Sequence, residues 1–287
     1  MEPRFWRMES VCGEREVFRC GLCFRGCRIP AGTTGYCGVR GADETGFISP
    51  CLGRFVSAAV DPVEKKPLYH WRPGTMIFSL GSLGCTMRCP FCQNHAIAQP
   101  QGRAPLTSLS VHDLADKVRA HKLTSVAYTY NEPTLQAEYI IEAAPVLREA
   151  GIATVMVTNG LFSISLLEEL TPWLEAANID VKTFNPAVYA DMGGSLEVVK
   201  RTVAHMVQAG VHVELTTLVV PGLSDDADEF SALVDWIAGL SPQIPFHISR
   251  YFPAHKYAAP PTDLDLLRRF KQTAGARLRH VHLGNVR

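Results

Sequence analysis

The sequence predicts an α/β protein in which strands and helices alternate from about residue 75 to the end of the chain. Short runs rich in β-branched residues are typical of buried strands, and longer amphipathic stretches lie between them. Such alternation indicates parallel βαβ units with right-handed crossovers. Six units form either a partial barrel or an open doubly wound sheet, and periodicity alone leaves both open. The strand-like runs cover residues 75–81, 125–130, 153–158, 178–182, 213–220 and 245–249.

Three of the helical stretches between these runs have recognisable ends. Ser110 stands at an N-cap position, with Asp113 three residues later as in a capping box. Gly151 follows the second stretch as a C′ glycine. The third, at 224–239, has acidic residues in its first turn, where the helix dipole favours them. Two stretches rich in proline and glycine are predicted loops: 99–105 and 251–261.

The bulk composition favours a globular chain with a sizeable core. It has 287 residues, of which 47% are apolar and 20% charged, with a formal net charge of zero. The length fits one large α/β domain, predicted at 75–287, preceded by a small cysteine-rich module at 1–74. Neutral charge gives no indication of nucleic-acid binding. The charged start lacks a signal-peptide pattern and the apolar runs are too short to cross a bilayer, so a cytoplasmic location is expected.

Seven of the nine cysteines fall into two clusters, which in a cytosolic enzyme indicates metal ligands or catalytic groups rather than disulfides. The first cluster has four cysteines within eighteen residues, separated by glycines, and predicts a metal site that holds either Zn²⁺ or a second Fe–S cluster. We prefer a structural, zinc-like site because this segment otherwise lacks a core. Cys12 and Cys51 stand alone, and each is expected to be a small buried or partly exposed residue. The predicted ligands are Cys20, Cys23, Cys27 and Cys37.

The second cluster, Cys85-x3-Cys89-x2-Cys92, comes directly after the first predicted strand. Three thiolates can bind three irons of a cubane cluster and leave the fourth iron open for a non-protein ligand. A structural site normally has four protein ligands. The alternative is therefore a structural knuckle whose fourth ligand lies elsewhere in the chain. The carboxyl end of a strand is where parallel α/β folds place active sites, which favours the reactive cluster.

This cysteine spacing, with Phe91 before the last cysteine, resembles the radical S-adenosylmethionine (SAM) superfamily. The resemblance covers nearly the whole chain and is strongest toward the branch of the pyruvate formate-lyase activating enzyme. Within that branch the sequence is similar to the AmmeMemoRadiSam-system radical SAM protein. The stretches that carry the resemblance are CGLC…C…CGVR, DPVEKKPLYH, GCTMRCPFCQNHAIAQ, AYTYNEPT, VTNG, IDVK and a final LGNV.

The resemblance implies a partial (β/α)6 barrel that binds a [4Fe-4S] cluster and SAM. The stretch after the second strand, Tyr130-Asn131-Glu132-Pro133, replaces the commoner glycine-glycine-glutamate and is expected to receive the amino group of the cofactor. Glu132 can pair with an ammonium, and Asn131 can donate and accept hydrogen bonds. The alternative for Glu132 is a surface carboxylate at a strand end.

The resemblance also implies roles for polar residues at the ends of later strands. Thr158 and Asn159 match stretches that approach the carboxylate and ribose of the cofactor, and Lys182 matches a cationic partner. Asp180 and Lys182 alternate along one strand, so both side chains face the same side, where a charged cofactor would explain them. The alternative is a solvent-facing ion pair. His247 matches a further cofactor-binding position, and its alternative is a hydrogen-bonded core histidine.

The activity implied by the resemblance is reductive cleavage of SAM to a 5′-deoxyadenosyl radical, which abstracts hydrogen from a substrate. A protein or peptide substrate is expected, as in glycyl-radical activation, and an electron donor of the flavodoxin or ferredoxin type is the implied partner. Radical tailoring of a small molecule or peptide is the alternative within this oxidoreductase class. An Fe–S electron-transfer or scaffold protein that never cleaves SAM is the alternative of another class.

Overall fold

The computed structural model describes residues 4–12, 15–100 and 104–286 of the chain. Its strands form a set of short ones and a set of longer ones that build the main sheet. The short strands are β1 (Trp6–Cys12), β2 (Arg15–Cys20), β3 (Arg28–Pro30), β4 (Thr33–Thr34), β5 (Gly41–Asp43), β6 (Gly46–Ile48), β7 (Arg54–Phe55) and β10 (Thr107–Ser108). The longer strands are β8 (Ser57–Pro62), β9 (Met76–Gly81), β11 (Ser125–Tyr128), β12 (Ala153–Thr158), β13 (Ala176–Asp180), β14 (His212–Val219), β15 (Phe246–Arg250) and β16 (Val281–Gly284).

The eight longer strands form one open sheet in the order β16-β15-β14-β13-β12-β11-β9-β8. All neighbours from β9 to β16 are parallel, and β8 pairs antiparallel with β9 at one edge. The strands follow one another in chain order without the reversal of a doubly wound sheet, which is the order of a partial barrel. The predicted α/β fold is therefore confirmed. Each of the six predicted strands is observed within two residues at either end, whereas β8 and β16 were not predicted.

Helices connect the parallel strands and cover the outer face of the sheet. The predicted N-cap at Ser110 is confirmed, because its hydroxyl accepts from the Asp113 amide. The helix predicted from residue 224 begins at Ala227, where the Asp226 carboxylate accepts from the first turn. Gly151 follows its helix with a φ of 71°, as a C′ glycine should. The helices are α1 (His95–Ala98), α2 (Val111–Ala120), α3 (Ala137–Glu149), α4 (Ile164–Leu170), α5 (Pro186–Asp191), α6 (Leu196–Gln208), α7 (Ala227–Leu240) and α8 (Leu264–Gly275), with 3-10 turns at Val63–Lys65, Pro133–Gln136 and Thr171–Trp173.

No helix in the described part of the chain is long and apolar enough to span a bilayer. The predicted loop at 251–261 is irregular apart from one bridge between Ala254 and Tyr257. Within the predicted loop at 99–105, residues 101–103 lie outside the described residues.

The N-terminal segment packs directly on the barrel through small antiparallel sheets. One has the order β1-β2-β3 and another the order β4-β5-β6. The Arg40 guanidinium donates two hydrogen bonds, of 2.9 and 2.7 Å, to the carboxylate of Glu138 in α3. Both side chains are buried, so this ion pair joins the two parts of the chain away from water. The predicted boundary between residues 74 and 75 remains a prediction, although β8, which precedes it, belongs to the barrel sheet.

Residues 63–75, which connect β8 to β9, cross the barrel near the amino ends of its central strands. The amides of Tyr69 and His70 donate to the Glu214 carboxylate of β14, at 3.0 and 2.8 Å. The Asn178 side chain of β13 donates to the carbonyl of Pro67 at 2.9 Å. We call this segment, residues 63–75, the barrel floor.

Candidate active site

A cleft of about 350 Å³ opens at the carboxyl ends of the parallel strands. The loop after β9 brings the second cysteine cluster to its wall, and the ends of β11, β12 and β13 bring the polar residues. Ten of the residues predicted from sequence for the cluster and the cofactor line this one cleft: Cys85, Cys89, Cys92, Phe91, Asn131, Glu132, Thr158, Asn159, Asp180 and Lys182.

The three thiols are free and largely buried. Burial raises the pKa of Cys85, and the Glu132 carboxylate and the other two cysteines raise it further. Burial also raises the pKa of Cys89 to about 11, against the opposing effect of the Lys182 ammonium. Three thiols that resist ionisation in one cleft form a donor set that a cationic metal group would stabilise as thiolates. The residues therefore fit the cluster implied by the sequence.

No group of three or more His, Cys, Asp or Glu side chains converges as the ligands of a single metal ion within the described ranges. Three thiolates that bind three separate irons need no such convergence.

Glu132 and Asn131 line the cleft, but their polar atoms already brace the surrounding loops. The Glu132 carboxylate accepts from the Thr134 amide and hydroxyl, from the Thr158 hydroxyl at 2.8 Å and from the Asn159 amide at 2.9 Å. The Asn131 side chain accepts from the Ser82 amide and donates to the Gly84 carbonyl, both at 3.0 Å. Complete burial raises the pKa of Glu132, and its hydrogen bonds from Thr134, Asn159 and Thr158 oppose that rise. The expected contacts of Glu132 and Asn131 with a cofactor amino group remain predictions.

Asp180 and Lys182 face the cleft together, as their alternation along the chain predicted. Their side chains form an ion pair of 2.7 Å and are only 29% and 19% exposed. The Lys182 ammonium lowers the pKa of both the Cys89 and Cys92 thiols, in opposition to their burial. This cation is therefore close enough to the thiols to favour their ionised form.

Asn159 connects the end of β12 to the cysteine loop. Its side-chain nitrogen, Nδ2, donates to the Thr86 hydroxyl at 2.9 Å and to the Cys85 sulfur at 3.7 Å. The Cys85 sulfur also accepts from the Met87 amide at 3.4 Å. Local hydrogen bonds thus hold the first cysteine of the cluster in a defined position.

Two residues that sequence reasoning missed, Asp61 and Lys66, hold Tyr130 beside the cleft. The Tyr130 hydroxyl donates to Asp61 at 2.5 Å, and the buried Lys66 ammonium donates to the same carboxylate at 2.7 Å. Tyr130 has a φ of 71°, an unusual conformation for a non-glycine residue, so these bonds stabilise a strained turn. The signal was present, because both residues belong to the stretch DPVEKKPLYH that carries part of the family resemblance.

Replacing Asp61 by asparagine is expected to lower the free energy of unfolding at pH 7 by about 3 kcal/mol, because the buried Lys66 ammonium loses its counter-ion. Burial raises the pKa of Asp61, but the bonds from Lys66 and Tyr130 lower it more, to below its ordinary value. The carboxylate therefore stabilises the fold above its unfolded pKa, and this contribution is lost progressively as the pH falls below about 4. Urea unfolding at pH 7, 4 and 3 should show that the difference in the free energy of unfolding between wild type and Asp61→Asn becomes smaller as the pH falls. A difference that stays constant would contradict this assignment.

The cysteine loop is also packed against the N-terminal module at Gly84. This glycine has a φ of 87°, and a Cβ there would meet Val39 at 2.6 Å, Leu135 at 2.8 Å and the Cys37 carbonyl at 2.9 Å. The two cysteine clusters are therefore in backbone contact through Cys37 and the residue before Cys85.

Gly84→Ala is expected to destabilise the protein by about 3 kcal/mol or more, the sum of a left-handed conformation and a steric clash. Gly210→Ala is the matched control, since Gly210 has a φ of 80° with nothing within 4 Å of its Cβ position. It should cost only about 1–2 kcal/mol. Urea unfolding of both variants measures the difference, and equal losses would show that the contact with the module is unimportant.

His247 is the one predicted cofactor residue that lines a different cavity. This second cavity, of about 810 Å³, adjoins the cleft, and its other lining residues include Tyr69 and Phe252. The residues shared by the two cavities are Lys65, Pro67, Gln93, Ser249 and Asn285. The assignment of His247 to the cofactor stays a prediction, but its surroundings differ from those of the others.

The four N-terminal cysteines line one small cavity, together with Arg25 and Arg40. All four are free thiols. Burial raises the pKa of Cys23 to about 12, and the other three cysteines of the cluster contribute to the rise. The shared cavity is compatible with the predicted metal site, although the four thiols do not converge as the ligands of a single ion. Of the two isolated cysteines, Cys51 is buried, whereas the side chain of Cys12 lies outside the described residues.

Comparison with known proteins agrees with this geometry. A family model described as the Radical SAM superfamily matches residues 80–237. The uncharacterised protein MJ0808 of Methanocaldococcus jannaschii is 33% identical over 93% of this chain and 81% of its own length. MJ1227 of the same organism, named for the glycyl-radical enzyme activating enzymes, is 26% identical over 50% of this chain and 62% of its own length.

Among solved structures, Streptococcus suis SuiB bound to the precursor peptide SuiA has a similar fold. The TM-score is 0.55 with 18% identity, and the match covers 70% of this chain and 46% of SuiB. The family match covers more than half of the chain and includes the strands and the cysteine loop that build the cleft. The chain therefore belongs to the radical SAM superfamily, whose members bind a [4Fe-4S] cluster and S-adenosylmethionine.

Proposed function

We propose that this protein cleaves SAM reductively and uses the resulting 5′-deoxyadenosyl radical to abstract hydrogen from a protein or peptide, as the glycyl-radical activating enzymes do. The observation that carries the proposal is that Cys85, Cys89 and Cys92 line one cleft at the carboxyl ends of the strands. Membership of the activating-enzyme branch, and of its AmmeMemoRadiSam group, is part of the proposal and is supported by the similarity to MJ1227.

In this proposal, Cys85, Cys89 and Cys92 would hold a cluster that supplies one-electron reduction when bound. The Asp180 carboxylate and the Lys182 ammonium lie 2.7 Å apart. This pair of opposite charges suits the ammonium and the carboxylate of an amino acid group. Asn159 fixes Cys85, and Glu132 fixes the loop that carries Asn159. The chain's task is thus to orient the reactants and to exclude water.

The preference for a protein or peptide substrate is supported by two observations. The second cavity, more than twice the volume of the cleft, adjoins it and offers room for a large substrate. SuiB, which shares the fold, was solved with a precursor peptide. Radical tailoring of a small molecule or peptide is the second candidate. An electron donor of the flavodoxin or ferredoxin type and a cytoplasmic location complete the proposal.

Anaerobic turnover of the reconstituted protein with dithionite and SAM tests the proposal. We expect 5′-deoxyadenosine and methionine from wild type, and neither from Cys85→Ala, because the cluster loses a ligand. Cys51→Ala is the control, since Cys51 is a buried cysteine that does not line the cleft. If a fully loaded, reducible wild-type cluster leaves SAM intact and its spectrum is unchanged by added SAM, the electron-transfer or scaffold alternative replaces the proposal.

We also propose that Cys20, Cys23, Cys27 and Cys37 bind a second metal centre, either structural zinc or an Fe–S cluster. The small cavity that the four free thiols share supports it. Metal analysis of a Cys85→Ala/Cys89→Ala/Cys92→Ala variant separates the cases. Retained zinc indicates the structural site, retained iron and sulfide indicate a cluster, and the absence of both contradicts the proposal.

A further inference from the structure

A buried carboxylate in the barrel, Glu214 of β14, is surrounded by hydrogen-bond donors. Its side chain is inaccessible to water. It accepts from the backbone amides of Tyr69 and His70 in the barrel floor. It also contacts the Nε2 atoms of His247 at 2.7 Å and of His212 at 3.0 Å. Each carboxylate oxygen accepts one backbone amide, and this pair of fixed donors favours the ionised form of Glu214.

The burial of Glu214 raises its pKa, but the hydrogen bonds from His212, His247 and the two amides lower it more, to below its ordinary value. An ionised carboxylate has no proton to donate. His247 must therefore carry its own proton on Nε2, and in the neutral ring this leaves Nδ1 with a free lone pair.

The Nδ1 atom of His247 has no hydrogen-bond partner among residues 4–12, 15–100 and 104–286. Among these residues, some side-chain nitrogen and oxygen atoms are both buried and without a hydrogen-bond partner, and Nδ1 of His247 is not one of them. His247 lines the second cavity, beside Ser249 and Phe252. The lone pair therefore belongs to a compartment that adjoins the cysteine cleft rather than to the cleft itself.

We propose that His247, held by Glu214, is the hydrogen-bond and proton acceptor of a substrate compartment formed by the second cavity, in place of the cofactor contact predicted from the sequence. The proposal rests on the proposed function, because it assigns the substrate to the cavity next to the cofactor cleft. The chemistry fits a substrate with an O–H or N–H donor beside its reacting carbon. When the proton moves, the O–H or N–H bond breaks, its electron pair stays on the oxygen or nitrogen, and a bond to Nδ1 forms. No oxidant or reductant takes part.

The groups packed around His247 favour such a transfer. The imidazolium that forms would lie 2.7 Å from the Glu214 anion, which stabilises it as the carboxylate of a catalytic triad does. The neighbouring His282 ring of β16 lies 5.2 Å away, and burial together with the nearby His247 and His70 lowers the pKa of His282 to about 4. His282 is thus neutral near pH 7 and adds no competing charge. The Tyr69 ring packs edge-on against His247 at 4.7 Å.

The first arm of the test is the tautomer of His247 in the reconstituted full-length protein, measured by ¹⁵N NMR with labelled histidine. We expect the Nε2–H form in wild type at pH 8. In Glu214→Gln we expect a shift toward a mixture of tautomers, because the glutamine side chain can both donate and accept. Glu64→Gln is the matched control, since Glu64 lines the same cavity but bonds the Gly74 amide instead. A wild-type Nδ1–H tautomer would overturn the proposal without any variant, even if Glu214→Gln failed to fold.

The second arm asks whether Nδ1 can be reached, which a purely structural histidine would not require. Diethyl pyrocarbonate acylates unprotonated imidazole nitrogens, and peptide mapping locates the adduct. We expect modification of His247 in the native protein, with the exposed His112 of α2 as the positive control. Modification of His247 only after unfolding would overturn the proposal. Neither arm involves SAM, so failure here is distinct from failure of the cleavage assay.

Discussion

Replacing Glu138 by glutamine is expected to lower the free energy of unfolding by about 3–5 kcal/mol, because the change leaves the Arg40 guanidinium buried without a counter-ion. The two side chains are 1% and 2% exposed and share two hydrogen bonds. Burial lowers the pKa of Arg40, but the Glu138 carboxylate raises it more, so the guanidinium stays charged. Urea unfolding at neutral pH measures the loss.

Two controls make this prediction specific. The double variant Arg40→Met/Glu138→Met removes both charges and should recover most of the lost stability, since apolar replacements of a buried pair are often neutral. Arg268→Ala removes an exposed pair with Asp265 in α8 and should change stability by less than about 1 kcal/mol. If Glu138→Gln behaved like Arg268→Ala, the pair would not be a significant contact between module and barrel.

Replacing Lys182 by methionine is expected to reduce the rate of 5′-deoxyadenosine formation by about 10²-fold, the usual loss when one preorganised electrostatic partner leaves an active site. The change removes the ammonium that lies near the Cys89 and Cys92 thiols and leaves Asp180 without its partner at 2.7 Å. Methionine keeps most of the apolar length of the side chain, so packing should persist. The anaerobic cleavage assay and the iron content of the same sample measure the effect.

Lys65→Met is the matched control for this change. Lys65 also lines the cleft, but its side chain is 66% exposed and its ammonium lies 3.3 Å from Asp61. An exposed pair of this kind contributes little, so the loss of rate should be much smaller. Equal rates for Lys182→Met and wild type, at equal iron content, would remove Lys182 from the site.

The barrel strands could be predicted because their signals are local. Strands β11 to β15 are largely buried and read as continuous apolar or β-branched runs. The two unpredicted strands lie at the sheet edges, where this signal is absent. β8 is partly exposed along its length and ends in proline, and β16 has only four residues, none of them fully buried.

The candidate site was predicted residue by residue, but the roles within it depend on contacts between distant segments. Glu132 is occupied by Thr158 and Asn159, and Tyr130 is held by an aspartate that lies 69 positions earlier in the chain. The position of His247 in a separate cavity depends on Glu214 and on the barrel floor. The periodicity or spacing of residues within one segment does not encode contacts between distant segments. Sequence motifs therefore locate the site but do not predict its internal hydrogen bonds.

The barrel floor has a consequence for the autonomy of the barrel as a folding unit. A chain that began at residue 75 would keep every strand that carries the cleft, yet it would lose the antiparallel edge strand β8 and the anchor of Tyr130. Glu214 would also lose its two amide donors, so a charge now satisfied inside the barrel would face a solvent-filled gap. The cysteine-rich beginning and the catalytic half are therefore poor candidates for exchange as separate modules between proteins, and they should be inherited together.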